Sequence, residues 1–302
     1  MKAVAHNLVG ATVPTDRSWA SVLSDLFKAR LTLLVLITTA VGFRMGVSGS
    51  PDRWLMVHAM GGSAFLAMGA SALNQLMERE YDALMRRTAT RPLPAGLMDP
   101  ETVLALGVGL SVSGMVWLYF LVNPLTALLG VITLGSYIFV YTPMKRRTVL
   151  NTLVGAVPGA LPPLMGWTAA TGELNRGGWV LFLILFFWQM PHFMAIAWLY
   201  REEYARAGFR MLPVIDPEGR RVAATAIRHT IALVAFSLAP FVMGMAGRWY
   251  LAGAFILGGG FLAAAINFAV KLTPASARKL FYASIFYLPL LLGLLVFDKF
   301  KN

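Results

Sequence analysis

The sequence predicts an all-α integral membrane protein of about nine transmembrane helices with a cytoplasmic N-terminus. Three observations carry that expectation. Of 302 residues, 58% are hydrophobic and only 13% charged, whereas a soluble chain is about half apolar and about a quarter charged. The stretches 102–144, 149–170 and 249–270 hold no charge at all, and roughly 20 apolar residues carry a helix across a bilayer. Lysine and arginine are also distributed unevenly between alternate loops, which sets orientation.

The predicted spans are 26–46, 54–77, 101–121, 124–142, 149–170, 178–200, 222–245, 249–271 and 280–297. Lys28, Arg30 and Arg44 pinch the first. The third and fourth are parted by "VNPLT", a short turn around Pro124. The sixth holds Gln189 and His192 inside an apolar run, with Pro191 to kink it. Residues 1–25 read as a loose cytoplasmic tail, without the apolar core and cleavage site of a signal peptide. Residues 26–302 read as a single intramembrane domain.

With the N-terminus inside, only Arg44, Arg53, Arg176, Arg248, Lys299 and Lys301 fall outside. The remaining basic residues lie on the inner side, so the net charge of +12 follows from topology and some affinity for anionic headgroups. It needs no nucleic acid. Cysteine is absent, which excludes disulfides, thiolate ligands and thiol nucleophiles.

All carboxylates except Asp52, Glu173 and Asp298 also fall inside, so chemistry is expected on that face. Asn74, Glu78 and Asp82 recur every four residues. On a continuing helix, successive members drift by only about 40°. Their oxygens suit a hard divalent cation such as Mg²⁺, which completes its shell with water and phosphate. The same spacing also suits a solvated helix end with acid–arginine pairs, Asp82 with Arg79 or Arg86. A second acidic patch, Glu202 and Glu203 between Tyr200 and Tyr204, follows the sixth span. Lys145, Arg146 and Arg147 in "YTPMKRRTVLN" serve topology, or clamp an anion with Arg87 and Arg91. Gln189 and His192 face a cavity or another helix at that depth. Carboxylates beside a basic rim suit a diphosphate held partly through Mg²⁺, with an apolar tail among the helices and prenyl transfer as the reaction. A transporter would instead spread polar residues on both sides of the midplane.

"N-x3-E-x3-D" ending the second span, with "DALMRRTATRPLPAG", "YTPMKRRTVLNTLVGAVPGALPPLMGW", "WQMPHFMAIAW" and "EEYARAGFRMLPV", resembles the intramembrane UbiA-type prenyltransferases. Within them the match is to the protoheme IX farnesyltransferase branch, the heme O synthases. The resemblance implies a UbiA-like bundle in a bacterial inner membrane. It also implies transfer of farnesyl from farnesyl diphosphate to a vinyl group of heme B with addition of water. Heme B is then a substrate rather than a bound cofactor, Mg²⁺ is the ion, and a heme A synthase is a possible partner. A quinone precursor or other aromatic acceptor is the alternative within the superfamily.

Carried onto this chain, the resemblance places Mg²⁺ and diphosphate between Asn74, Glu78 and Asp82 on one side and Glu202 and Glu203 on the other. Arg87, Arg91, Lys145 and Arg146 neutralise the diphosphate, joined by Arg30. Gln189 and His192 face the porphyrin, lined by Trp188 and Phe193. Tyr141, Asn151 and Tyr204 complete the substrate-binding set. The family's second motif is usually D-x3-D. This chain has adjacent Glu202 and Glu203, with Arg206 and Ala207 four residues on.

Overall fold

A computed structural model describes residues 17–300. Helices α1 (Trp19–Leu26), α2 (Ala29–Gly46), α3 (Arg53–Asp82), α4 (Pro100–Leu121) and α5 (Pro124–Met144) come first. They are followed by α6 (Asn151–Thr171), α7 (Arg176–Leu199), α8 (Arg201–Arg206) and α9 (Leu212–Ile215). The last are α10 (Arg220–Val242), α11 (Arg248–Lys271) and α12 (Pro274–Phe297). No strand occurs among the described residues; one isolated bridge joins Ala246 to Lys299. The protein is a multi-pass membrane protein.

Among the described residues nine helices are long, and they answer to the nine expected spans. Eight are long and apolar enough to cross a membrane. The other, α6, has 21 residues but includes Pro158, Pro162 and Pro163. It is packed against α2, α5 and α7, and its stretch from Ala160 to Ala169 is buried. A helix enclosed by protein needs no lipid-facing apolar side. Its prolines are tolerated because neighbouring groups can satisfy the carbonyls they free.

Close helix approach sets where α2 lies. A Cβ on Gly166 of α6 would come 1.9 Å from the Thr39 carbonyl oxygen of α2. One on Gly42 would come 1.9 Å from the Pro163 oxygen. Backbone therefore rests on backbone at this crossing, which brings the start of α2 near the inner ends of the other helices.

Residues 19–25, expected within a loose tail, form α1 together with Leu26, the first residue of the expected first span. Asp25 and Leu26 offer their carbonyls to Gln75, and Val22 and Leu26 pack with Leu93 and Met98. An amphipathic turn with a buried partner repays the cost of ordering it. The rest of that tail, 1–16, lies outside the described residues.

Helix α3 has 30 residues, about 45 Å at 1.5 Å per residue. A hydrocarbon core is about 30 Å thick. Helix α3 is therefore longer than the apolar layer is thick, and its last turns carry Asn74, Glu78 and Asp82.

Candidate active site

Helix α3 continues unbroken to Asp82, so the four-residue spacing becomes one face. Asn74, Glu78 and Asp82 are 1%, 5% and 1% exposed. That excludes a solvated helix end. Each is met by a cation from a different segment. Lys28 Nζ donates to Asn74 Oδ1 at 3.0 Å. Lys145 Nζ lies 2.7 Å from Glu78 Oε1, and Arg91 Nη1 lies 2.7 Å from Asp82 Oδ2.

The pairing leaves oxygen capacity over. Asp82 Oδ1 is buried with no hydrogen-bond partner among the described residues. Glu78 Oε1 has its ion pair with Lys145, but not the alignment of a hydrogen bond. Buried unsatisfied carboxylate oxygens are costly and call for a partner. Two carboxylates and an amide oxygen on one helix face fit a hard cation that keeps part of its shell for phosphate.

Asn74 is oriented by an irregularity in α5. Residues Ser136–Tyr141 form a π-helical segment, a feature frequent at functional sites. Thr142 donates to the Tyr137 carbonyl at 2.8 Å, and Asn74 Nδ2 donates to Thr142 Oγ1 at 3.3 Å. This fixes the amide with its oxygen toward Lys28. The same segment sets the Tyr137 and Tyr141 rings 5.4 Å apart and tilted to each other, and Lys145 Nζ sits 4.6 Å from the Tyr141 ring centre.

The charges reveal an excess of cation. Burial, then the Arg91 and Lys145 charges, lowers the pKa of Lys28 to about 7, against the pull of Glu78 and Asp82. Burial is the largest influence on Lys145 and opposes its charge, but the Glu78 carboxylate with Tyr141 and Tyr137 together outweigh it and hold Lys145 above the usual lysine range. Three basic groups thus surround two carboxylates, a balance that an anion would relieve.

Lys28 was not among the expected residues; Arg30 was. Arg30 is exposed on the first turn of α2. Lys28 occupies the break between α1 and α2 in a left-handed conformation, φ 47°, which turns it inward. Its only sequence signal was a basic residue at the junction of two apolar segments. Tyr81, Tyr137 and Thr142 were also missed.

Arg87 and Arg146 lie at the rim but are engaged with tyrosines. Arg87 sits 5.1 Å from the Tyr200 ring centre and donates to the Tyr204 hydroxyl at 3.1 Å. Arg146 sits 4.2 Å from the Tyr81 ring centre and hydrogen-bonds its hydroxyl. Glu203 accepts from the Arg87 backbone N–H at 3.3 Å. Glu202 is exposed and, with Glu203, Arg86, Arg201 and Arg206, lines a cleft of about 420 Å³. Among the described residues, no three acidic or histidine side chains converge. The structure therefore does not bring the two acidic patches to one point. Adjacent residues on a helix diverge by about 100°, so Glu202 and Glu203 cannot share a direction.

Asn151, expected to touch substrate, is spent on the protein. Its Nδ2 donates to the Thr148 and Arg210 carbonyls at 2.6 and 3.0 Å, and Oδ1 accepts from Thr152 at 3.1 Å. It clamps the loop after α5 to the loop before α9. Gln189 and His192 are parted as well. Gln189 donates to the Ala156 carbonyl of α6 at 3.2 Å, whereas His192 faces Ser284 of α12 at 2.7 Å. Trp188 also faces α12, donating to the Ser284 carbonyl at 2.8 Å, and Phe193 lies edge-on to His192.

The chain resembles known proteins along nearly all its length. The model of the UbiA prenyltransferase family matches residues 35–290. A protoheme IX farnesyltransferase of Solibacter usitatus is 47% identical, covering 91% of this chain and 97% of that one. One of Opitutus terrae is 44% identical over 96% and 98%. A solved digeranylgeranylglyceryl phosphate synthase aligns with TM-score 0.79 at 16% identity, covering 92% of this chain and 98% of its own. A UbiA homolog from Archaeoglobus fulgidus bound to DMAPP and Mg²⁺ aligns with TM-score 0.63 at 16% identity, over 90% and 98%. These two structures share the fold. On the length of the family match and the identity of its relatives, the chain belongs to the UbiA prenyltransferase family.

Proposed function

We propose that the protein transfers the farnesyl group of farnesyl diphosphate to a vinyl group of heme B, with addition of water, giving heme O. The observation that carries this reading is the buried face of Asn74, Glu78 and Asp82, ringed by Lys28, Arg91 and Lys145. The acceptor is taken from the relatives, named protoheme IX farnesyltransferases. The concentration of Lys and Arg supports an inner, cytoplasmic site in a bacterial plasma membrane. A heme A synthase is the expected recipient of the product.

The roles follow from charge. Asn74, Glu78 and Asp82 would hold Mg²⁺, as a homolog of this fold is seen with that ion and DMAPP. Mg²⁺ bound there supplies charge neutralisation for a diphosphate leaving group. Lys28, Arg91 and Lys145 add fixed positive charge where the diphosphate gains electrons. Arg87 and Arg146 border the mouth, and Glu203 holds Arg87 in place.

The allylic C–O bond breaks with its electron pair leaving on diphosphate. The vinyl group then attacks the allylic carbon. Water adds to the resulting cation beside the macrocycle and loses a proton. No side-chain nucleophile is required. The walls must keep water from the allylic cation until the vinyl group meets it, and the Tyr137 and Tyr141 rings can stabilise it.

Purified protein in detergent, given heme B, farnesyl diphosphate and Mg²⁺, should yield heme O by mass spectrometry, and EDTA should abolish it. Unmodified heme B alongside a prenylated quinone precursor would overturn the acceptor and leave the diphosphate site standing.

A further inference from the structure

The connection between α3 and α4, residues 83–99, brings Arg91 back to Asp82 without a helix or strand of its own. It is a run of turns closed by local backbone bonds. Ala89 N–H reaches the Met85 carbonyl at 2.8 Å, and Ala95 N–H the Arg91 carbonyl at 2.9 Å. A segment held only by such local bonds opens easily. Two tethers from elsewhere fix this one. On the site side, the buried Thr88 donates through Oγ1 to the Asp82 carbonyl at 2.8 Å. On the far side, Arg17 Nη1 donates to the Thr90 carbonyl at 3.1 Å, across 73 residues of sequence. Thr90 is the residue immediately before Arg91.

Arg17 is itself held from two positions of α1. Its Nη2 donates to Ser21 Oγ at 3.0 Å and pairs with the Asp25 carboxylate. Helix α1 is in turn fixed to the helix that bears the acidic face. Gln75 Nε2 donates to the Asp25 and Leu26 carbonyls at 2.9 and 2.8 Å, and Ser71 Oγ donates to the Leu26 carbonyl at 2.9 Å. Val22 and Leu26 pack on Leu93 and Met98 of the same connection. A continuous set of bonds therefore runs from α3 through α1 and Arg17 to the residue before Arg91.

The planar guanidinium suits this place, because its nitrogens make bonds at fixed angles to one another. One nitrogen faces α1 and the other faces the connection. Fastening α1 alone needs only the Nη2 bonds, the Gln75 bonds and the apolar packing. The Nη1 bond adds nothing to that task, and it lands beside the arginine that meets Asp82.

We propose that Arg17 is a positioning residue for the diphosphate: by fixing the Thr90 carbonyl it sets where Arg91 leaves the backbone and holds its guanidinium ready beside Asp82. This rests on the reading of Arg91 as a diphosphate contact. Arg17 acts only through Arg91. Without the tether, Arg91 must be ordered when the anion binds, and that entropy is subtracted from affinity.

The test is a double-mutant cycle on the whole protein in detergent, with inorganic diphosphate and Mg²⁺ as the probe and titration calorimetry as the readout. Arg17→Ala should weaken diphosphate binding about tenfold. It should raise the KM for farnesyl diphosphate in step and leave the KM for heme B unchanged. In an Arg91→Ala background, where Lys28 and Lys145 still hold the anion, Arg17→Ala should have no further effect. Asp25→Asn removes only the pair that orients Arg17, at a carboxylate 51% exposed. It should give a smaller loss, about two- to threefold, that vanishes in the same background, and it decides the matter should Arg17→Ala fail to fold. Unchanged affinity in these single variants, or equal losses with and without Arg91, would make Arg17 a fastener of α1 alone and leave the diphosphate site standing. Wild-type protein that binds no diphosphate, or Arg91→Ala that binds it as tightly as wild type, would overturn the diphosphate reading and this proposal together.

Discussion

Lys28 Nζ donates to the amide oxygen of Asn74 at 3.0 Å across 46 residues of sequence, joining the α1–α2 break to the acidic face of α3. The contact makes Lys28, not Arg30, the cation that α2 delivers to the site. Charge-assisted hydrogen bonds are worth about 1.5–3 kcal/mol. Lys28→Ala is therefore expected to lower kcat/KM for farnesyl diphosphate about 10- to 100-fold. Arg30→Ala, at an exposed position, is expected to leave it nearly unchanged. Steady-state kinetics on the two variants decide between them.

Asp82 has one oxygen on Arg91 and the other without a partner. Asp82→Asn keeps the shape and removes the charge. Turnover is expected to drop at least about 100-fold, or roughly 3 kcal/mol, with the protein still folded in the membrane. Excess Mg²⁺ should not restore it. Near-normal turnover in this variant would refute the metal-binding role of the α3 face.

Asn151 spends its amide on the Thr148 and Arg210 carbonyls. If it is a clamp and not a substrate contact, Asn151→Ala should lower thermal stability, by about 1–3 kcal/mol for each carbonyl left unsatisfied. The KM for both substrates should stay close to wild type in the protein that remains folded. A large rise in KM without loss of stability would return Asn151 to the site.

Gly166 has the Thr39 carbonyl where its Cβ would stand. Gly166→Ala must push α2 from α6, because the obstacle is backbone and cannot rotate away. Overpacking of this kind costs about 1–3 kcal/mol or more. The thermal midpoint in detergent should fall. Because α2 begins beside Lys28, affinity for the diphosphate should weaken as well. An unchanged midpoint would mean that the helices part more easily than their packing indicates.

Much of this protein is legible in its residues. Apolar runs of spanning length follow directly from the chemistry of a bilayer, and the nine long helices among the described residues lie over the nine spans expected from them. The four-residue spacing of Asn74, Glu78 and Asp82 needed only a helix to become a face, and α3 supplies it. The basic residues of 145–147 and Arg91 were visible as an anion clamp; Lys145 and Arg91 do meet the acidic face. Periodicity is a local property, and local properties survive into the fold.

Tertiary structure decided which of several similar groups reach the site. Lys28 and Arg30 differ by two positions, and a left-handed residue between helices turned one inward and left the other exposed. Gln189 and His192 share a motif, yet α6 claims one and α12 the other. Asn151 resembled a ligand until the carbonyls of Thr148 and Arg210 took its amide. Sequence determined the spans and the acidic face, because hydropathy and helical period act within a single segment. The partners of each polar group depend on segments far apart in the chain, and only the packing of those segments could assign them.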